Sequence, residues 1–491
     1  MSKIPELGIG IIYFSGFKNV IESNFNLIDL VEIEPQTFWL KNGSKLDSFI
    51  FNEKEIDYLQ TIDKPKVFHG VGYPVASSLP VNTNHIPYLK DMMSRLNPIW
   101  LSEHLSFNNI KLQQEIYNTN FLLPPLQTLE GIHIAAKNIK EYSAKFNIPF
   151  AFETGVNYLK THDFELDDGA FINTIAEHSD SYILLDIHNL FANQLNGRQP
   201  ILEFINQINP NRIIQIHLAG GFTYQDYYLD AHSGISNEEV FSIVEKIVRM
   251  LPNLKAITFE MSPVYLNSVS ENDITKQLER MRSIWDKRGA KIPTRSTTSL
   301  LAAKNKAGKF IPTVQEWEKA LGSLAIRKSN AFTNGKLGKE LAGDKGLKII
   351  QELVNKFRSS ALVSSMKLTC RYLMLTYGLD YVNTLFEEFW QVSKPMLFPT
   401  DNGLAFGAYL TNSLNADDSV LLDLVKYETA SLKTLMDNKE RVINITFNPT
   451  DMVASLAEGK LPENLEPGNY EITIEATNRI EKEQISSVYH T

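Results

Sequence analysis

Eight short β-rich runs separated by stretches long enough for a helix occupy the first ~290 residues and predict an α/β fold, a TIM (β/α)8 barrel. A change of texture after a small, polar, basic segment predicts a smaller, mainly helical domain with a short α+β module behind it. The histidines fall on the same side of that division. Nine of the ten lie at or before His232 and the last is His490, so the chemistry belongs to the N-terminal part.

The runs, in order, are GIGIIYF (8–14), IDLVEIE (28–34), KVFHG (66–70), IWLSEHLSF (99–107), PFAFETG (149–155), YILLDIH (182–188), RIIQIHLAG (212–220) and AITFEMS (256–262). Between them, residues 128–146 and 237–250 carry apolar side chains at helical spacing, as the outer helices of a barrel do. A helix-like stretch over 274–287 closes the unit, and RSTTSLLAAKNKAGK (295–309) reads as a linker. The expected organisation is a barrel over 1–292, a linker over 293–309 and a second domain over 310–491. In that domain, residues 314–325, 345–360, 364–377 and 381–392 read as amphipathic helices. RVINITF (441–447) and NYEITIE (469–475) alternate as half-buried strands do.

A chain of 491 residues with 43% hydrophobic and 21% charged residues has globular proportions, and no apolar run approaches the ~20 residues of a membrane-spanning helix. A net charge of -9, from 48 basic and 57 acidic residues, is the wrong sign for broad binding to phosphate backbones or anionic lipid. Neither nucleic acid nor membrane is therefore expected as a partner. The N-terminus has Lys3 and then a short apolar run over 9–14 with no small-residue cleavage pattern after it, so a cytoplasmic location is expected. Cys370 is the only cysteine. That excludes an intramolecular disulfide, an all-protein thiolate zinc site and a cysteine-ligated iron–sulfur cluster, and any metal must be held by nitrogen and oxygen.

In a TIM barrel the catalytic groups project from the C-terminal ends of the strands. Here those ends carry metal-ligand types: His69 on the third run, Glu103 and His104 on the fourth, Glu153 on the fifth, Asp186, His188 and Asn189 on the sixth, His217 on the seventh and Glu260 on the eighth, with Asp230 and His232 in the loop after the seventh. A single histidine at a strand end is more often a satisfied cleft residue than a ligand. Convergence decides otherwise, because carboxylates are almost never buried unless paired or metal-bound, and Glu153, Asp186 and Glu260 each follow mainly apolar strand residues. Such a ring can bind more than one cation. His133 and His178 fall in helix-like stretches, His85 and His162 in polar loops and His490 in the tail, and none reads as a site residue. Gly70-Val71-Gly72 lacks phosphate-loop spacing and reads as a turn at the barrel mouth, and Cys370 reads as a buried helix residue.

HGVG (69–72), LSEHLSF (101–107), FLLPP (121–125), FETGVNYL (152–159), LLDIHN (184–189), HLAGG (217–221), DAHSG (230–234) and FEMSP (259–263) stand in order over ~200 residues. Together they resemble the multinuclear non-heme iron-dependent oxidases, the methanobactin oxazolone–thioamide synthase-like enzymes that tailor ribosomally made peptides. The resemblance spans about residues 8–288. It implies two or three irons in mixed Fe(II)/Fe(III) states, with O2 as co-substrate. One iron would be held by His69, His104 and a bridging Glu153, a second by Glu153, Asp186, His217 and Glu260, and a third by Asn189, Asp230 and His232. Glu153, Asp186 and His217 would stand at the catalytic centre. The chain departs from the family pattern at Glu153-Thr154, where Glu-Asn is usual, and at His188-Asn189, where Asn-Asn is common, which leaves His188 as an added ligand or an outer residue.

The segments 398–414, 421–432 and 442–462 are similar to the separate partner proteins that present the precursor peptide to these oxidases, which implies a fusion of oxidase and partner-like domain, with residues 310–491 supplying the partner's role. The alternative for this region is an unrelated packing or dimerisation domain. The function that follows is oxidative modification of a cysteine in a precursor peptide, with oxazolone–thioamide formation, other thioheterocycle formation and carbon excision all open. The alternative enzyme is a divalent-metal isomerase or phosphodiesterase of the xylose isomerase-like or endonuclease type. It would need Lys or Arg at the mouth, where the sequence offers only Lys160 and Arg198. A non-enzymatic alternative is a peptide-binding or metal-storage module.

Overall fold

The computed structural model describes residues 4–43, 48–80, 82–288, 310–394, 396–413 and 418–475. The expected linker over 293–309 and His490 lie outside the described residues.

All eight expected runs form strands: β1 (Gly8–Tyr13), β2 (Leu30–Ile33), β3 (Lys66–Gly70), β4 (Leu101–His104), β5 (Phe150–Glu153), β6 (Tyr182–Asp186), β7 (Ile213–Leu218) and β8 (Ala256–Phe259). They pair in parallel around a closed barrel, β1 joining β8 at Gly8↔Ala256 and β2 at Gly10↔Leu30. Helices including Leu129–Ser143, Asp168–Ser179, Glu238–Ile247 and Glu271–Trp285 cover the outside. Several start on a side-chain cap: Thr128 accepts the Gly131 N–H, Asn237 the Val240 N–H and Ser270 the Asp273 N–H. A small cluster at the N-terminal ends of the strands, with Trp100, Leu30, Leu184 and Ile214, closes the bottom.

Two runs end earlier than the sequence suggests. The fourth stops at His104, and Phe107 begins a separate antiparallel hairpin, Phe107–Leu112 with Glu115–Leu123. The sixth stops at Asp186, whose carboxylate accepts the Asn189 N–H at 2.8 Å and so caps the helix Ile187–Leu195 that contains His188. Further hairpins follow β2 (Trp39–Lys41 with Phe49–Phe51) and β7 (Phe222–Tyr224 with Tyr227–Leu229). All of these insertions rise on the face where the strands end.

The region after 310 is mainly helical, with one antiparallel pair, Arg441–Phe447 with Pro467–Ile474. Its expected helices form at Val314–Ala325, Lys345–Ser365, Lys367–Tyr377 and Leu379–Val392, and further helices include Pro399–Ser413 and Ser419–Asp437. One apolar cluster crosses from the barrel into this region: Phe107, Ile110, Leu123, Leu126, Tyr158 and Leu229 from barrel loops meet Val314, Trp317, Leu321 and Ile350. The Trp317 indole N–H donates to the Pro124 carbonyl at 3.0 Å. Gly346 sits so close to Tyr158 that a Cβ would fall 1.9 Å from its carbonyl oxygen, so the 345–365 helix docks here only because this residue lacks a side chain. Cys370 is buried in a second cluster of this region, among Met366, Leu373 and Phe406, and burial pushes its thiol well up. That is the inert thiol expected of it.

Candidate metal centre

The strand ends bring the expected residues to one place. His69, His104 and Glu153 offer ligand atoms within 4.8 Å of one another, and so do Glu153, Asp186, His217 and Glu260, with Glu153 common to both groups. The His104 Nδ1 lies 2.6 Å and the His69 Nε2 3.4 Å from Glu153 Oε2, while the two imidazoles approach at 3.1 Å between Nε2 atoms. On the other side of Glu153, His217 Nδ1 lies 3.3 Å from its Oε1 and 3.2 Å from Glu260 Oε1.

Asp230 and His232 form the third corner, with His232 Nε2 at 3.0 Å from Asp230 Oδ1 and 3.6 Å from Glu260 Oε2. His188 joins them, its Nε2 3.5 Å from Asp230 Oδ1. Asn189 is buried nearby; its amide N–H donates to the Thr154 carbonyl at 3.3 Å, which leaves Oδ1 as the atom to offer. Thr154 also accepts the Asp186 backbone N–H at 2.9 Å, so it anchors two of the expected residues.

Surrounding groups hold the imidazoles in fixed orientations. The Ser102 hydroxyl donates to the Phe68 carbonyl at 3.2 Å, so toward His69 it accepts from Nδ1–H at 2.9 Å and the Nε2 lone pair faces Glu153. Glu32, fully buried, accepts from His217 Nε2–H at 2.9 Å and from the Gln215 amide at 2.6 Å. Gln215 in turn accepts the Trp100 indole N–H at 2.8 Å. Sequence reasoning passed over Glu32 and its neighbour Glu34. The signal was present: in IDLVEIE two glutamates are spaced by two, Glu32 on a fully buried strand and Glu34 just past its end.

Glu103, by contrast, faces away from this cluster, toward Tyr142 on the 129–143 helix, and burial pushes its carboxyl up to about 8. His85 and His162, read as loop residues, are buried; His85 Nε2 lies 3.1 Å from the Tyr142 hydroxyl and His162 Nδ1 3.1 Å from Glu340. Arg198 does not reach the mouth. It is buried against Asp168 and accepts no role there, its guanidinium donating to both carboxylate oxygens.

The charges in this centre are unbalanced without cations. Burial alone would raise Glu153, yet the imidazoles of His104 and His69 hold it well below the usual carboxylate range. Burial together with Glu153, Asp230 and Glu260 pushes Asp186 well up. Burial would lower His217 and His232, but Glu260 and Glu32 lift the first well above the usual range and Asp230 and Glu260 lift the second to about 10. His188 falls to about 4, because burial and the neighbouring His232 outweigh Asp230. Protons on imidazoles here do what cations would do better. Although some of these atoms approach one another closely, Glu153 Oε2, Asp186 Oδ2, Asn189 Oδ1, His217 Nδ1, Asp230 Oδ1 and His232 Nε2, one from each of six expected ligands, have no partner in hydrogen-bond geometry. A buried polar atom left this way is costly, and metal coordination removes the cost. The donor set of imidazole, carboxylate and amide oxygen fits iron or another first-row divalent ion.

His104 and His232 are the most open of these side chains and face a cavity lined by Leu105, Phe121, Leu122, Val156 and Tyr158, with Leu353 from the C-terminal region. Among the described residues no Lys or Arg lines it.

A closed parallel barrel with a ring of histidines and carboxylates at its mouth has the architecture of a barrel enzyme with a candidate metal centre. More particularly, the chain belongs to the family of RiPP precursor modification enzymes MbnB/TglH/ChrH, which it matches over residues 8–284. Its enzymes act on ribosomally made precursor peptides. The chain is 24% identical over 229 residues to a UPF0276 protein of Caulobacter vibrioides, covering 47% of this chain and 78% of the relative. To a UPF0276 protein of Neisseria gonorrhoeae it is 26% identical over 235 residues, covering 48% and 79%. Among solved structures it is similar to D-allulose 3-epimerase from Methylomonas sp. (TM-score 0.40, 15% identity, 58% of this chain and 100% of that one). It is also similar to a xylose isomerase domain containing protein from Salmonella typhimurium (TM-score 0.38, 16%, 58% and 99%).

Proposed function

We propose that this chain is an O2-dependent, multinuclear iron oxidase that modifies a cysteine of a ribosomally synthesised precursor peptide, with the peptide-presenting function carried by residues 310–491 of the same chain. The observation that carries the metal assignment is the convergence of unpartnered, buried ligand atoms from Glu153, Asp186, Asn189, His217, Asp230 and His232 at one barrel mouth. His69, His104 and Glu153 would hold one iron, Glu153, Asp186, His217 and Glu260 a second, and Asp230 and His232 with Asn189 or His188 a third. When bound, iron supplies one-electron chemistry, a place for O2 and a soft-ligand position for the peptide thiolate.

The chain's own residues do the rest. Glu32 keeps the His217 proton on Nε2 and Ser102 keeps the His69 proton on Nδ1, so the opposite nitrogens stay available. The apolar walls of the cavity exclude water from a thiol side chain, and the lack of Lys or Arg among the described residues that line it suits a peptide segment better than a sugar phosphate. This favours the peptide reading over the isomerase or phosphodiesterase alternative.

The test is elemental analysis of protein purified without oxygen, read with Mössbauer spectra. Two to three irons per chain in mixed oxidation states support the reading. Stoichiometric zinc or manganese that persists after reconstitution with ferrous iron overturns it. Glu153→Ala is expected to abolish product formation while leaving peptide binding intact, and unchanged product formation would remove Glu153 from its bridging role.

A further inference from the structure

A second cleft, away from the metal centre, lies between the 107–123 hairpin and the helix Val314–Ala325. In a chain of net charge -9 it is lined by three lysines, Lys111, Lys319 and Lys328, and among the described residues none of them forms an ion pair. Two are held over aromatic rings: Lys319 Nζ stands 4.9 Å from the centre of Phe332 and Lys328 Nζ 5.3 Å from that of Tyr117. The acidic groups nearest these lysines have other hydrogen-bond or ion-pair partners, although Glu318 also feels the charge of Lys319 and Glu115 that of Lys328. Glu318 is buried, with the Ser78 backbone N–H donating to it at 2.6 Å and the Ser78 hydroxyl also bonded to it. Glu115 is paired with Lys394 at 2.8 Å and Glu387 with Arg327 at 2.7 Å. Three lysines without a close ion pair therefore share a concave, aromatic-floored surface with carboxylates that are held by other groups.

We infer that this cleft docks an acidic segment of the precursor peptide. The assignment rests on the peptide-modifying reading above and adds the substrate feature recognised. The hairpin supplies the connection between cleft and centre: Tyr117 lies in the cleft, while Phe121, Leu122 and Leu123 of the same strand line the metal cavity. Four to six residues of extended chain span roughly 13–20 Å at about 3.3 Å each. A peptide laid along the strand would place its Asp or Glu residues about four to six positions from the cysteine offered to the metals. The lysines act on an exposed surface, so their effect is moderate and screened by salt.

The experiment uses the full-length chain and a pair of fluorescein-labelled twelve-residue peptides, each with one cysteine. One carries three Asp or Glu residues centred five positions from the cysteine, the other the corresponding Asn or Gln. Fluorescence anisotropy at low salt is expected to show tighter binding of the acidic peptide by about tenfold to thirtyfold, as three exposed charge contacts would give. The preference is expected to vanish in the triple variant Lys111→Gln, Lys319→Gln, Lys328→Gln and to shrink at 0.5 M salt. Circular dichroism melting checks that the variant, altered only at exposed or half-buried positions, is folded. Equal affinity for the two peptides, or a preference that survives the triple variant, overturns the inference. Stronger binding of a duplex oligonucleotide than of the acidic peptide, lost in the same variant, also overturns it, in favour of a phosphate polyanion. Because binding is read without iron or O2, a failed oxidase assignment and a failed docking assignment give different results.

Discussion

The most informative perturbation is Glu32→Gln. It changes one fully buried atom, keeps the volume and replaces none of the residues first expected as ligands, acting on one of them, His217, only through its hydrogen bond. In the native chain both Glu32 oxygens accept, one from the Gln215 amide at 2.6 Å and the other from His217 Nε2–H at 2.9 Å. A glutamine there turns one acceptor into a donor facing a donor, in a place no water reaches. The lost charge-assisted bond is worth about 1.5–3 kcal/mol. His217 can relieve the clash by moving its proton to Nδ1, but that nitrogen faces Glu153 and Glu260 and is then closed to a metal. Loss of such a supporting carboxylate typically weakens metal affinity by about 10–100-fold, or about 1.4–2.7 kcal/mol. Anaerobic Fe(II) titration against a competing chelator reads this directly, and a thermal melt of the metal-free variant separates it from a general loss of stability. An affinity within twofold of the native value would refute the positioning role of Glu32.

Other perturbations address the scaffold. Gly221→Ala would put a Cβ 2.3 Å from the Leu229 carbonyl and 2.7 Å from the His188 ring, so His188 and the Asp230 loop must move; the metal retained after loading with Fe(II), measured by elemental analysis, should fall below that of the native chain. Trp317→Ala empties the centre of the cluster that joins barrel and C-terminal helices and leaves the Pro124 carbonyl without its donor. It should cost about 3–5 kcal/mol, read as a lower denaturant midpoint. Glu428 accepts the Leu368 and Thr369 N–H groups at 2.7 and 2.8 Å, yet burial pushes it up to about 7. Its folded value exceeds the ordinary 4.5, so the folded chain binds more protons between those values and stability falls as pH rises through that window, by at most about 3 kcal/mol. Glu428→Gln should flatten the slope of urea midpoint against pH between 5 and 8; an unchanged slope would assign it to other groups.

The relation of the C-terminal region to the barrel bears on the fusion reading. Val314, Trp317 and Ile350 share a core with the very loops that surround the metal cavity, and Leu353 lines that cavity. The region is thus placed to shape access to the centre, as a peptide-presenting unit would need to be.

The barrel was legible because its strands are short apolar runs and the spacing between them admits helices. Those features are local in the chain. So was the ring of His69, His104, Glu153, Asp186, His217 and Glu260, since each stands at the end of its run and the topology of a parallel barrel brings such ends to one mouth. What the order of residues alone could not set is which nitrogen of an imidazole faces inward, and from which strand the supporting carboxylate comes. Glu32 and His217 are 185 positions apart and meet only because β1 and β8 separate β2 from β7 by so little around the closed ring. The same holds for His188 standing beside Asp230, which depends on the helix that Asp186 caps, and for Arg198, whose guanidinium is buried against Asp168. Residue type and periodicity determine which side chains are carried to a surface; pairing, tautomer and access are settled by contacts between segments distant in sequence, and those exist only once the chain has closed on itself.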